Sequence, residues 1–357
     1  MSYIVCRKCR FVIYDRRYTI DEGVLMPQFR QNFITNEWVI VAPERAKRPD
    51  QFSKGRAPKP KRAVVDAHCP FCPGNEAMTP PATLTYGEGK YWQLRVVPNK
   101  FAAVNADLCP DRKNVGKFLS ADGFGIAEVI IENPLHNETL ATMPVNMVRD
   151  VLAAYKDRYA ALSKNENVDL ITIFKNHGEK AGTSLEHPHS QIIATPIVPP
   201  HMRQLTQQAI LYHDTYGICP HCVMLEEELK QKDRIVFDGE HFVVFCAFAA
   251  RVPFETRIYP KRHYSRFDGI TDSELDELST ILRMCLRKLY VGLDDPDYNF
   301  VISSSPISDG EVHYDHWRLV IVPKLTTLAG FEIGSGIFIN IMPPEDSAKF
   351  LREINVD

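Results

Sequence analysis

The 357-residue chain has no apolar run near the roughly 20 residues that a membrane-spanning helix needs, and its start lacks the apolar core of a signal segment. A cytoplasmic protein without a membrane partner is expected. The chain also lacks a basic excess: 42 Lys and Arg stand against 45 Asp and Glu, for a formal charge of −3. A dedicated nucleic-acid binder would normally be basic and carry interleaved aromatics, so that class is set aside. Nor is apolar content short, since 45% hydrophobic against 24% charged residues argues against disorder. The length permits a sizeable core and one to three domains. Nine cysteines cannot all pair, and in a large cytosolic chain no disulfide framework is expected.

What the chain does have is cysteine in close pairs: Cys6/Cys9, Cys69/Cys72 and Cys219/Cys222. Cys109 stands alone, and Cys246 and Cys285 lie in apolar or amphipathic runs, as small buried hydrophobes do. Cys69-Pro-Phe-Cys72-Pro-Gly74 reads as a tight metal-gripping turn, because a redox pair would open a helix after a strand and Pro73-Gly74 follows instead. Cys219-Pro-His-Cys222 echoes it. Cys6/Cys9 sits in an N-terminal extension (residues 1–27) without a further ligand pair nearby.

From Gln28 the pattern becomes regular. Asn32 to Ala42 reads as two strands about an Asn-containing turn, and residues 50–68 as a Lys-, Pro- and Ala-rich connector. Trp92–Val97, Gly125–Ile131 and Asp169–Phe174 are strands; residues 144–163 carry Val148, Val151, Leu152, Tyr155 and Tyr159 at helical spacing. Then comes Gly182-Thr-Ser184-Leu-Glu-His187-Pro-His189-Ser-Gln191. On a strand, alternation puts His187, His189 and Gln191 on one face and Pro188 and Ser190 on the other. After Pro199-Pro200 the order repeats: strands at His241–Cys246 and Glu255–Tyr259, a helix opened by the capping box Thr271-Asp-Ser-Glu274, then strands at Asn299–Ile302 and from His316 to Pro323. An α+β unit present twice, with antiparallel sheets and flanking helices, is expected.

The repeat groups the ligands. Cys69, Cys72, His136 and His187 form one set, and Cys219, Cys222, His263 and His316 the other. Two thiolates and two imidazoles complete a tetrahedral zinc ion and leave no open position, so both ions would be structural. His189 then remains free. A neutral imidazole can attack phosphorus if its other nitrogen donates to an acceptor such as a main-chain carbonyl. Ser184, Gln191 and the loop N–H groups about Gly182 and Thr183 could donate to phosphate oxygens. The second half has Arg318 at the matching place, which is no nucleophile. The basic cluster Arg45-Ala-Lys47-Arg48 is either a solvated surface or an anion clamp.

The stretch from Asn176 to Gln191, with its His-Pro-His-x-Gln core, resembles the active-site signature of galactose-1-phosphate uridylyltransferases, in the histidine-triad superfamily. Arg45 to Pro49, Cys69-Pro-Phe-Cys72, Asn99 before Lys100-Phe101, and Gly330-Phe331-Glu332 agree, so the likeness covers about residues 28–350. It implies two tandem histidine-triad-like units, catalytic over 28–200 and a scaffold over 201–357. It implies two zinc ions, and UMP exchange between a UDP-hexose and a hexose 1-phosphate by way of a nucleotidyl–His189 adduct. Gln191 and Ser184 would contact the transferred phosphoryl group; Asn99 and Asn176 the nucleoside; Arg45, Arg48 and Lys100 the substrate; Phe331 and Glu332 the hexose across a homodimer. Ser190 stands where the best-known bacterial members have Gly, and where a plant nucleotide-sugar phosphorylase has Ser. Adenylyl or uridylyl transfer to inorganic phosphate is the alternative reaction, and a non-catalytic zinc-stabilised binding module the alternative class.

Overall fold

The computed structural model describes residues 26–43, 62–89 and 91–356. Arg45, Arg48 and the Cys6/Cys9 pair lie outside the described residues. The first half supplies β1 (Gln28–Gln31), β2 (Trp38–Val41), β3 (Leu84–Glu88), β4 (Tyr91–Pro98), β5 (Arg112–Val115), β6 (Phe118–Ala121), β7 (Ile126–Ile131), α1 (Val145–Leu162), β8 (Leu170–His177) and β9 (His189–Thr195). Then follow α2 (Pro200–Tyr216), α3 (Pro220–Gln231), β10 (Ile235–Asp238), β11 (Phe242–Cys246), β12 (Thr256–Pro260), α4 (Asp272–Gly292), β13 (Tyr298–Ser303), β14 (Arg318–Pro323), α5 (Gly330–Ser335), β15 (Phe338–Asn340) and α6 (Pro344–Glu353).

Ten strands form one antiparallel sheet in the order β10-β11-β12-β14-β13-β8-β9-β7-β4-β3. Counting only strands of this sheet and moving inward from either edge, each half runs through its first three, then its fifth, then its fourth, with the β5–β6 hairpin inserted between β4 and β7. The expected duplication is present, with three strands of the sheet rather than the expected two before each helix: a β-β-β-α-β-β unit twice. The halves join where β8 pairs with β13, Phe174 opposite Val301. The β1-β2-β15 sheet is separate, and Asn36 turns its hairpin at φ 58.

One face of the large sheet is a conventional core. The apolar stripe of α1 (Val148, Val151, Leu152, Tyr155, Tyr159) packs on Ile171 and Ile173 of β8 and on Ile192 and Ala194 of β9. Each fully buried Val, Leu or Ile contributes roughly 1.5–3 kcal/mol as an upper bound. That burial fixes β8 and β9 on one side and leaves their other side to carry polar groups. Helix α4 packs beside α1; its capping box is complete, with Glu274 N–H donating to Thr271 Oγ1 at 3.3 Å and Thr271 N–H donating to Glu274 Oε2 at 2.8 Å. Replacing Thr271 with Ala should cost about 1 kcal/mol, seen as an earlier urea midpoint with unchanged slope.

A local irregularity matters for the site. Between β3 and β4 the register shifts beside Gly87, which has φ +86 and whose added Cβ would lie 2.7 Å from the Tyr91 carbonyl. The extra residue turns Trp92 away from Leu94 and Val96, which face α1, and onto the opposite side with Val97, Val129, Ile131, Phe71 and Cys72. There its indole N–H donates to Glu76 Oε1 at 2.7 Å.

Candidate functional site

The Cys69–Cys72 turn rests on this small cluster. Cys72 N–H donates to the Cys69 carbonyl at 3.2 Å, and Asn75 Nδ2 donates to the same carbonyl at 2.8 Å. The fully buried Cys72 Sγ lies 3.5 Å from His136 Nδ1 and 3.5 Å from His187 Nδ1. In the second half Cys222 Sγ lies 3.3 Å from His263 Nδ1 and 3.9 Å from His316 Nδ1. Within each Cys2His2 set all four ligand atoms fall within 4.8 Å of one another. Tetrahedral zinc, with bonds of about 2.3 Å to sulfur and 2.0 Å to nitrogen, puts S···N edges at roughly 3.5 Å, so both groups fit such an ion.

The electrostatics agree with that fit. Burial and the neighbouring Cys72 push the Cys69 thiol up to about 11, so a second thiolate here calls for a cation. Burial pulls His187 down to about 4, which keeps the imidazole neutral and able to ligate. Its Nε2–H donates to the Asn133 carbonyl at 2.7 Å, fixing the tautomer that presents Nδ1 to a metal. His263 does the same with the Val312 carbonyl at 3.0 Å. The two Cys pairs differ in setting: Cys69/Cys72 is a loop turn, whereas Cys219 precedes α3 and Cys222 lies in its first turn.

His187 sits just before β9, and His189 opens it. His189 is buried to 7% exposure, and its Nδ1–H donates to the His187 carbonyl at 2.8 Å. Nε2 is thus the nitrogen with the free lone pair. Phe71 packs edge-on against both rings, at 6.0 Å from His187 and 5.5 Å from His189. Burial lowers the His189 pKa, which keeps the imidazole unprotonated. On β14, Arg318 starts the strand as His189 starts β9, and its Nη1 donates to the His316 carbonyl at 3.0 Å. Both halves use the same bond two residues back along the chain, but only the first makes it from an imidazole. Val320 holds the place of Gln191.

A cavity of about 410 Å³ opens in front of His189, lined by Arg62, Asn176, Thr183, Ser184 and Glu186. Its floor loop depends on glycine: Gly178 has φ +85, and an added Cβ would meet Asp297 Oδ1 at 2.1 Å. Asp297 in turn accepts from Lys180 N–H at 2.8 Å. Gly182, at φ +88, ends the following short turn. Asn176 accepts from Asn299 Nδ2 at 2.8 Å, which ties the pocket to the second half. Thr183 Oγ1 donates to the Asn176 carbonyl, so its hydroxyl closes the loop. Asn99 Nδ2 reaches Gln191 Oε1 at 3.5 Å, so these two expected contacts are neighbours, although neither lines the cavity. Lys100 lies over the exposed Phe101 ring, 6.0 Å from its centroid. Phe331 is exposed on α5, and Glu332 accepts from Ala329 N–H at 3.1 Å; neither lines this cavity in the same chain. Arg62 was not legible as a site residue, because it sits in a Lys- and Arg-bearing connector like any solvated cation. A larger hollow, about 490 Å³, lies between the second half, the β1–β2 hairpin and the start of β8. Its Arg251 and Arg257 are paired with Glu255 and its Arg318 with Asp315, and both ring nitrogens of its His221 are engaged, by Asp315 and Tyr259.

The doubled antiparallel sheet and the His-Pro-His strand end put the chain in the histidine-triad class. Residues 16–199 match the family described as galactose-1-phosphate uridyl transferase, N-terminal domain, and residues 144–354 match one described as domain of unknown function (DUF4921). The chain is 37% identical to ADP-glucose phosphorylase of Arabidopsis thaliana, over 92% of this chain and 93% of that one. It is 32% identical to galactose-1-phosphate uridylyltransferase of Thermotoga maritima, over 93% of this chain and all of that one. A crystal structure of the Arabidopsis thaliana ADP-glucose phosphorylase with bound ADP-glucose superposes with a TM-score of 0.78 at 35% identity, covering 93% of this chain and 100% of that one. The chain belongs to the galactose-1-phosphate uridylyltransferase family, and with it to the nucleotidyltransferases.

Proposed function

We propose that the chain transfers a nucleotidyl group from a nucleoside diphosphate hexose by double displacement on His189. The observation that carries this reading is the His189 imidazole, tied by Nδ1–H to the His187 carbonyl with Nε2 left free beside the cavity. Nε2 attacks the α-phosphorus, an N–P bond forms, the bond to the bridging oxygen breaks, and hexose 1-phosphate leaves with the electron pair. The ring then carries positive charge, which the His187 carbonyl stabilises through Nδ1–H. An acceptor oxygen next attacks phosphorus and the N–P bond breaks, returning the neutral ring. Gln191, Ser184 and the Gly182–Thr183 loop are proposed as phosphate donors. Asn99 and Asn176 are proposed for the nucleoside, and Arg45, Arg48 and Lys100 for the substrate. Phe331 and Glu332 would serve the hexose of a second copy in a homodimer. Zinc in both Cys2His2 groups would supply rigidity, since four protein ligands leave it no position for substrate.

Residues 28–200 would then be the catalytic unit and 201–357 its scaffold, fused through the β8–β13 ladder. For the acceptor, 37% identity to an ADP-glucose phosphorylase supports inorganic phosphate, as does the Ser that the resemblance implies at position 190. The match to the whole length of a uridylyltransferase supports hexose 1-phosphate as the second reading. Purified protein should be given ADP-glucose or UDP-glucose, each with phosphate or with galactose 1-phosphate. Release of ADP from ADP-glucose and phosphate is the expected outcome. UDP-galactose from UDP-glucose would establish the second reading, and no turnover with any pair, together with no nucleotide bound to His189, would end both.

A further inference from the structure

Against the strand that carries His189 lies a charged network to which the proposed reaction gives no role, although one member, Lys175, also lines the cavity. Lys175 and Glu132 are both buried, at 2% and 1% exposure, with Nζ to Oε2 at 2.6 Å. The ammonium also donates to the His189 main-chain carbonyl at 2.9 Å. Tyr155 of α1 lies 3.5 Å from the same carboxylate and donates its hydroxyl to Ser190 Oγ at 2.6 Å. Burying an ion pair this deeply is rarely the most stable option, because desolvation offsets most of the attraction. Its placement therefore calls for a reason.

The ladder supplies one. Glu132 N–H donates to the Pro188 carbonyl at 3.1 Å, which makes Ile131 and His189 a non-hydrogen-bonded pair. The His189 carbonyl then points towards β8. There the β8–β9 pairing stops at Phe174 opposite Gln191, two residues short of His189. No β8 ladder bond is left for that carbonyl, and Lys175 takes it. The consecutive residues 187, 188 and 189 are thus each pinned: His187 Nε2–H by Asn133, the Pro188 carbonyl by Glu132 N–H, and the His189 carbonyl by Lys175. The first two anchors come from the turn after β7; only Lys175 reaches from β8.

We infer that Lys175, charge-compensated by Glu132, is a positioning residue that completes the truncated ladder and fixes the backbone from which His189 aims Nε2. This rests on the proposed role of His189. Its failure is separable, because adduct formation by the wild-type protein tests that role alone. Lys175→Met would strand the Glu132 carboxylate and threaten folding, so the informative variants are the doubles Lys175→Met/Glu132→Gln and Lys175→Met/Glu132→Met, which remove the ion pair as a unit. Single-turnover formation of the nucleotidyl–protein adduct is measured on folded protein that retains its metal, with Lys175→Arg as the conservative comparison. A loss of about 10²-fold in the adduct rate is expected for the doubles, with KM for the nucleotide sugar changed less than about threefold, because misaiming a reacting atom by an ångström costs that much. Lys175→Arg should recover most of the rate. A double variant that is folded, metal-loaded and forms the adduct at the wild-type rate would overturn the inference and leave the network a purely structural pair.

Discussion

His189→Asn is expected to lower turnover by roughly 10⁴-fold or more and to abolish the covalent nucleotide adduct, while metal content stays at the wild-type level. The size follows from the proposed role: no other side chain on the described face of β9 offers a basic nitrogen lone pair, and the matching position of the second half is Arg318. The retained metal follows from the geometry, since His189 spends its Nδ1–H on the His187 carbonyl and is absent from the Cys69, Cys72, His136, His187 group. Only the edge contact with Phe71 and one main-chain bond are disturbed, so the melting temperature should move by a few degrees at most. His187→Ala should behave in the opposite sense. It removes a ligand and the Asn133 anchor together, and both the first metal and the adduct should be lost. Mass spectrometry after incubation with the nucleotide sugar, with metal analysis on the same samples, separates the two. Equal metal loss in both variants, or an adduct on His189→Asn, would contradict the division of labour between the two histidines.

The two Cys2His2 groups could be read from the chain because they are written locally and written twice. Cys69/Cys72 and Cys219/Cys222 with their histidines recur in the same order, and a repeat turns each ambiguous His into a position that can be compared. The helices at 144–163 and from Asp272 were equally legible, their apolar residues being spaced for one face. What escaped depends on partners distant in sequence. Alternation along Trp92, Leu94 and Val96 puts all three on one side, yet the bulge at Gly87 sends Trp92 to the metal cluster. Lys175 falls on the core side of β8 between Ile173 and His177, where a charge is not expected. Its reason is a carboxylate on another strand and a ladder that stops short. Ser190 is similar: from sequence it marked a family branch, and in the fold its hydroxyl is engaged by Tyr155 on the helix side rather than by anything in the cavity. The strand order, with β4 beside β7 and β8 against β13, is set by packing that no window of sequence contains. Phe331 and Glu332 carry a signal that one chain cannot place, because they stand away from the cavity of their own chain.

Cys72→Ser should have the largest effect on stability, with loss of the first metal and a fall in melting temperature of ~10 °C or more. Cys72 is fully buried, and both imidazoles of its group contact it. The segment that bears it, from residue 62 to β3, has little structure of its own beyond a three-residue 3-10 turn at Glu76–Met78. Its apolar support is the small cluster of Cys69, Phe71, Cys72, Trp92, Val97, Val129 and Ile131. Structural zinc contributes about 10–16 kcal/mol to the folding of zinc-finger peptides; losing even a third of that is a large fraction of the roughly 5–15 kcal/mol by which a whole domain is stable. Activity should fall as well, since His187 loses its ligand role and Phe71 loses the turn that seats it against His189. Cys222→Ser provides the contrast. Its group is anchored by the start of α3 and lies in the half without a nucleophile, so one metal and some stability should go while the adduct still forms below the new melting temperature. Metal analysis, thermal melts and single-turnover assays on the two variants decide the matter. A Cys72→Ser protein that keeps both metals, or melts with the wild type, would show that the turn is held by packing alone.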